Sequence, residues 1–81
     1  MDKFEKAILH KLLRQGYVGA RHTALENIPK GFPGHLHKEL MKTAEKLIKE
    51  GLIMPKPTGY GMQISLNPRK LAVIEEIIKD P

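Results

Sequence analysis

The sequence predicts a small α+β domain, and three observations carry that reading. Apolar residues recur near a 3.6-residue period over 3–15, 34–50 and 68–79, apolar and polar residues alternate through Met62-Gln63-Ile64-Ser65-Leu66, and Gly or Pro punctuates the segments between. The expected architecture is a three-helix core, a two-stranded β-hairpin and a C-terminal helix, all in one domain spanning residues 1–81. A chain of this size buries only about 60 to 65% of the surface its unfolded form exposes, which supports one core and no deep cavity between lobes.

Asp2-Lys3-Phe4-Glu5 has the form of a helix N-cap with an acid three residues on, and Phe4, Ile8, Leu9, Leu12 and Leu13 follow at helical spacing until Gly16. The first helix is therefore placed at 3–15. Tyr17-Val18-Gly19-Ala20 is too short for a helix and carries β-favouring residues, so a minimal strand is expected at 17–20. Thr23-Ala24-Leu25-Glu26 reads as a capping box opening a short helix, 24–28, that Pro29 ends. After the turn formers Lys30-Gly31-Phe32-Pro33-Gly34, residues Leu36, Leu40, Met41, Ala44, Leu47 and Ile48 define the longest helix, 34–50, closed by Gly51.

Leu52-Ile53-Met54 and Met62 to Leu66 form a hairpin, 52–66, around Thr58-Gly59-Tyr60-Gly61. Pro55 and Pro57 lack amide donors, so the first strand is expected to fray or bulge near its tip and to lie at an edge. Asn67-Pro68 supplies a cap and a proline at the first helical position, opening a last helix, 68–79, with Leu71, Ile74, Ile77 and Ile78 inward.

Composition narrows the function classes. With no cysteine there is no disulfide, thiolate zinc site or cysteine nucleophile. No apolar run approaches a membrane span, and the charged stretch Met1 to Lys6 leads into a helical pattern and not into a signal-peptide core, so a soluble cytoplasmic protein without membrane association is expected. The formal net charge is +5, and it is uneven: residues 1–70 hold 13 of the 14 Lys and Arg side chains but six of the nine acids. Lys79 faces Glu75, Glu76 and Asp80 in the remaining segment. A basic body with an acidic end suits nucleic acid or another anionic surface.

The order helix, short strand, short helix, long helix, hairpin, helix, together with the junction Lys46-Leu47-Ile48-Lys49-Glu50-Gly51-Leu52-Ile53, resembles the winged helix-turn-helix family of DNA-binding domains over Asp2 to Leu66. The resemblance implies that Gly34 to Glu50 is a recognition helix for the major groove and that Pro55 to Met62 is a wing lying along the neighbouring backbone. The Pro29 to Gly34 connection departs from the family by being long and stiff for its turn.

The outer face of the long helix can be judged without the resemblance. With Leu36 at zero and about 100° per residue, Leu36, Leu40, Ala44, Leu47 and Ile48 fall between about 0° and 120°. His35, Lys38, Lys42, Lys46 and Lys49 fall between about 200° and 280°, a basic stripe flanked by Glu39, Glu45 and Glu50. Lys38, Lys42 and Lys46 repel one another at successive i, i+4 steps by about 0.2 to 0.5 kcal/mol per pair, which an external polyanion would offset. Lys46 and Lys49 also gain from the helix dipole, so a solvated lysine face is the simpler alternative.

Arg69 and Lys70 stand where the last helix begins, against the dipole, and are candidate phosphate clamps. Lys56 and Tyr60 at the hairpin tip are candidates for backbone or sugar contact. Arg14 and Arg21 are flanking cations that spacing does not rank. The longest helix has no Arg, Asn or Gln, the commonest base readers, so any sequence reading falls to His35, Lys38, Lys42 and Thr43, with Gln63 on the hairpin or DNA shape. Modest selectivity follows, with four to six phosphates neutralised and a log–log salt slope of about −4 to −5.

Enzymatic sites are not expected. Ser65 is the sole serine, Asp2 and Asp80 are terminal, and Glu75 and Glu76 diverge by about 100° on a helix. His35 and His37 diverge by about 200°, so no metal is expected; His37 falls beside the apolar face and reads as a boundary or core histidine. No phosphate-loop motif and no cofactor pocket is found, and Met41, Met54 and Met62 read as core filler. The expected function is that of a small transcriptional regulator or architectural protein on double-stranded DNA, as a homodimer through the first and last helices. The alternatives are an adaptor for an acidic protein and a module for structured RNA or the ribosome.

Overall fold

The computed structural model describes residues 2–80 and shows a small α+β fold. Its regular elements are helices α1 (Lys3–Arg14), α2 (His37–Lys49) and α3 (Leu71–Lys79) and strands β1 (Thr23–Ala24), β2 (Ile53–Thr58) and β3 (Gly61–Leu66). The sheet is antiparallel with order β1-β3-β2, so β3 is the central strand.

The core follows the sequence periodicity. Ile8, Leu9 and Leu12 from α1, Leu40, Ala44 and Leu47 from α2, and Ile53, Ile64 and Leu66 from the sheet are all buried, with Ile28, Leu52 and Ile74 completing the cluster. Fully burying an aliphatic side chain contributes about 1.5 to 3 kcal/mol, so this cluster is the main source of stability. Ile74 is buried, and Ile77 and Ile78 pack half-buried against the same core. The apolar surface on which a homodimer contact was expected is thus largely used within the chain, and Val73 is the exposed large apolar residue of α3.

Both long helices end in the same way. After α1, Gly16 takes φ 78°, its N–H donates to the Leu13 carbonyl at 3.0 Å, and the Tyr17 N–H donates to Leu12 at 3.0 Å. After α2, Gly51 takes φ 79°, with Gly51 N–H on Ile48 at 3.0 Å and Leu52 N–H on Leu47 at 3.1 Å. Each pair is a Schellman motif, which satisfies carbonyls the helix would leave open and turns the chain sharply.

Several boundaries differ from the sequence reading, each for an identifiable reason. Residues 17–20 do not form a strand: Val18 makes a single parallel bridge with Leu66, and the strand lies at Thr23–Ala24, paired with Ile64 and Gln63. The 24–28 helix is a 3-10 turn, Leu25–Asn27, without a side-chain cap. Thr23 is drawn into the sheet, and its Oγ1 accepts from Asn27 Nδ2 at 2.8 Å in place of a capping box. The long helix opens with a 3-10 turn, Gly34–Leu36, ahead of α2.

Strand β2 neither frays nor bulges; it runs in register through both prolines, with Pro55 opposite Ile64 and Pro57 opposite Met62. Antiparallel pairs that exchange both ladder bonds alternate with pairs that exchange none, and prolines two residues apart occupy only the latter. The bonds then fall on Met54–Ser65 and Lys56–Gln63, while the prolines leave the free edge short of donors and resist pairing with another strand.

The last helix begins with a 3-10 turn, Pro68–Lys70, before α3. Asn67 caps that turn as expected, its Oδ1 accepting from Arg69 N–H at 3.0 Å. Its Nδ2 donates to the Gly51 carbonyl at 2.9 Å, and its N–H donates to Leu52 at 3.0 Å. One asparagine therefore joins the end of α2 to the start of α3.

Open space surrounds a methyl group built at Gly51, so its left-handed φ alone sets the cost of a side chain there. Gly51→Ala is expected to lower the unfolding free energy by about 1 to 2 kcal/mol in urea denaturation. Gly59→Ala, at a glycine with similar open space and no left-handed φ, is expected to change it by less than about 0.5 kcal/mol.

Candidate nucleic-acid interface

Helix α2 buries Leu40, Ala44 and Leu47 and turns Lys38, Lys42, Lys46 and Lys49 outward, all exposed. These four side chains are not equivalent. Lys46 Nζ lies 2.8 Å from Glu5 Oε1, the sole ion pair among the described residues, and Glu5 is only 1% exposed. A buried carboxylate needs such a partner because leaving it unpaired in the interior is costly. The hydrogen bond to Glu5, reinforced by the Glu5 charge, holds the Lys46 ammonium above its usual pKa of 10.5.

The sequence pattern places Glu5 in an N-terminal cap. The cap is made by Asp2 alone, whose Oδ1 accepts from Phe4 N–H at 2.7 Å, while Glu5 points into the protein. Glu5 Oε2 is buried without a hydrogen-bond partner. The sequence signal was present: Glu5 shares the i, i+3, i+4, i+7 face of Ile8, Leu9 and Leu12, an acid in an apolar row.

The remaining ridge consists of Lys38, Lys42 and Lys49, none of which makes an ion pair or side-chain hydrogen bond among the described residues. His35 is exposed in the 3-10 turn just before α2. His37 is also exposed, which corrects its assignment as a boundary or core residue. His37 is the first residue of α2, and at that open end a position beside the apolar arc of the helix is not covered by the core. Thr43 is half-buried, and its hydroxyl donates to the Glu39 carbonyl at 2.9 Å, which commits its proton to the helix.

On the hairpin, Lys56 of β2 stands directly opposite Gln63 of β3. Strand alternation puts both on the face away from Ile53, Ile64 and Leu66. Pairing of β1 brings His22 alongside, where its Nδ1 donates to Gln63 Oε1 at 3.1 Å. At the tip, Tyr60 is 97% exposed. Thr58 Oγ1 accepts from Tyr60 N–H at 3.2 Å and donates to the Gly61 carbonyl at 2.8 Å, fixing the turn backbone beneath the exposed ring. Arg69 and Lys70 are exposed in the 3-10 turn ahead of α3, with Lys70 at the cap position, so neither sits inside the first α-helical turn.

Sequence reasoning gave no role to Lys11. Its Nζ donates to the carbonyls of Asn27 at 2.8 Å, Ile28 at 3.1 Å and Lys30, tying the segment ahead of α2 to α1. Burial, with Arg14 and Lys30 nearby, lowers its pKa from 10.5. Among the described residues no group of three or more His, Asp or Glu is placed to share a metal ion, and no helix is long and apolar enough to cross a membrane. Compared with protein families, curated proteins and solved structures, the chain finds no match.

The Lys46–Glu5 pair gives a separable expectation for stability. Lys46→Met should lower the urea midpoint, whereas Lys38→Met and Lys42→Met should each change stability by less than about 0.5 kcal/mol. Because the folded state raises the Lys46 pKa, its contribution is complete below 10.5 and is lost as pH rises through the higher folded value. The stability gap between the parent protein and Lys46→Met should therefore narrow in alkaline titration.

Proposed function

We propose that the chain is a winged-helix protein that binds double-stranded DNA, laying α2 in the major groove and the β2–β3 hairpin along the flanking backbone. The observation that carries this reading is the ridge of Lys38, Lys42 and Lys49, exposed on the outer face of α2 and without carboxylate partners among the described residues. The Lys38 and Lys42 charges repel at i, i+4 spacing, and phosphates would relieve that cost. The order of elements, the sheet order β1-β3-β2 and the immediate passage from α2 into the hairpin support a winged-helix arrangement.

Each side chain then has a specific task. Lys38, Lys42 and Lys49 neutralise phosphates along the groove, and Lys56 does so beside the hairpin. Tyr60 contacts sugar or backbone from the tip. Lys46 acts as a positioning residue, because its ammonium is held by Glu5 and fixes α2 against α1. Arg69 and Lys70 are peripheral cations. Base reading rests on His35, Lys38 and Lys42, since the Thr43 hydroxyl proton goes to the Glu39 carbonyl and Gln63 Oε1 accepts from His22, which leaves Gln63 its Nε2 donors alone. Sequence selectivity is accordingly modest, and a small regulator or architectural role on DNA suits it.

Four neutralised phosphates imply a slope of log affinity against log salt of about −3 to −4 on duplex DNA. Lys38→Glu/Lys42→Glu should weaken duplex binding by at least about 100-fold and flatten that slope by about 2. Titration of duplex DNA, single-stranded DNA and structured RNA at two salt concentrations checks both numbers. Duplex binding unchanged by the double charge reversal, or tighter binding to the RNA than to the duplex, would overturn the assignment.

A further inference from the structure

A second basic surface lies away from α2. A cleft of about 590 Å³ opens between α1 and the loop that follows the Leu25–Asn27 turn, within the size range of small-molecule sites. Ala7, His10, Lys11 and Arg14 present one helical face to it at i, i+3, i+4 and i+7, while Lys30 and Phe32 stand on the loop side. Among the described residues no carboxylate lines the cleft, and no residue of α2 does.

The charges there are not equally available. Lys11 donates to three backbone carbonyls, at Asn27, Ile28 and Lys30, and so has no proton left for a ligand. Arg14 and Lys30 have no hydrogen-bond or ion-pair partner for their side chains among the described residues. Both lie near enough to Lys11 to disfavour its charge, so three cations share one concavity. Two of them keep free donors, which matches a dianion better than a single carboxylate. A phosphate monoester carries about −1.5 to −2 at neutral pH and offers three strong acceptors. Tyr17 and Phe32 add aromatic wall, and Gln15 and Thr23 add neutral polar groups. The Lys11 latch holds the loop in place before any ligand arrives, which reduces the ordering cost of binding.

We propose that this cleft is a binding site for a nucleoside monophosphate, the phosphate between Arg14 and Lys30 and the planar base against the aromatic wall. The site does not depend on the DNA-binding reading, since the two surfaces share no residue.

Adenosine 5′-monophosphate, adenosine and inorganic phosphate, each titrated into the full chain at physiological ionic strength, form the test, read by calorimetry and by amide chemical shifts. The monophosphate should bind at least about ten-fold more tightly than either fragment and shift the amides of Gln15, Asn27 and Gly31. Arg14→Ala/Lys30→Ala, at two exposed positions, should lose at least about ten-fold in affinity while keeping the parent's amide spectrum elsewhere. Lys38→Glu/Lys42→Glu should bind the monophosphate as the parent does while losing duplex DNA, which separates failure of one site from failure of the other. The proposal is overturned if the monophosphate leaves those amides unmoved, if inorganic phosphate binds as tightly, or if the α2 charge reversal weakens the monophosphate as much as the cleft variant does.

Discussion

The arrangement of this protein depends on one carboxylate taken out of water. Glu5 is buried on the inner face of α1, and its partner, Lys46, reaches in from the last turn of α2 to 2.8 Å. An apolar side chain at the same place would bury comfortably, but would accept α2 at many rotations. A charged hydrogen bond accepts few, so the pair constrains the angle and register of α2 relative to α1. The second Glu5 oxygen finds no partner, a cost borne by the core around it. Lys46 stays exposed with its ammonium committed to Glu5, which leaves Lys38, Lys42 and Lys49 as the outward lysines of α2 without such a partner among the described residues.

Central strand β3 organises the other half of the molecule. It pairs with β1 on one side and β2 on the other, and its last residue, Leu66, also receives the bridge from Val18. The next residue, Asn67, bonds to the Gly51 carbonyl and to Leu52, so the hairpin base, the end of α2 and the start of α3 meet at one side chain. The hairpin extends from that anchored base with two prolines in its outer strand and a hydroxyl-braced turn at its tip. Proline fixes φ, and such a strand is stiffer than its length implies. Contact at Tyr60 therefore bears on a braced hairpin and not on a loose loop.

The helices and the hairpin were legible because their signals are periodic and local. Leu40, Ala44 and Leu47 define a buried face by spacing alone, and Gly16 and Gly51 mark ends that the structure realises with the same hydrogen bonds. Residues 17–28 were not legible. A two-residue strand has no period, and its partners, Gln63 and Ile64, lie some forty positions away in the chain. Thr23 and Glu26 satisfied a local capping pattern, but the sheet bonds that claim Thr23 are long-range, and tertiary pairing prevailed over local preference. In the site, exposure of Lys38, Lys42 and Lys49 followed from the helical wheel. Lys46 did not follow, although at about 280° it is the stripe member nearest the Leu36 edge of the apolar arc, within a lysine's reach of α1. Gln63 and His22 met only through the pairing of β1, which no pattern in the sequence announces.

Two lysines connect α1 with the α2 region, and they run in opposite directions. Lys46 reaches from α2 inward to Glu5, whereas Lys11 reaches from α1 outward to the carbonyls of Asn27, Ile28 and Lys30. The first tether fixes the end of α2; the second fixes the segment from which the chain enters it. Between Lys30 and α2 the chain passes Gly31, Pro33 and Gly34, and of these Pro33 alone has its φ fixed by its ring. The cleft is built on this second tether, because Lys11 and Lys30 both line it. An anion seated there would alter the electrostatics of the group that holds the approach to α2. Any difference in its affinity between two settings of that approach must, by linkage, appear equally as a difference in what α2 binds. If the approach has only one setting, no contact made in the cleft can influence α2, however tight it is.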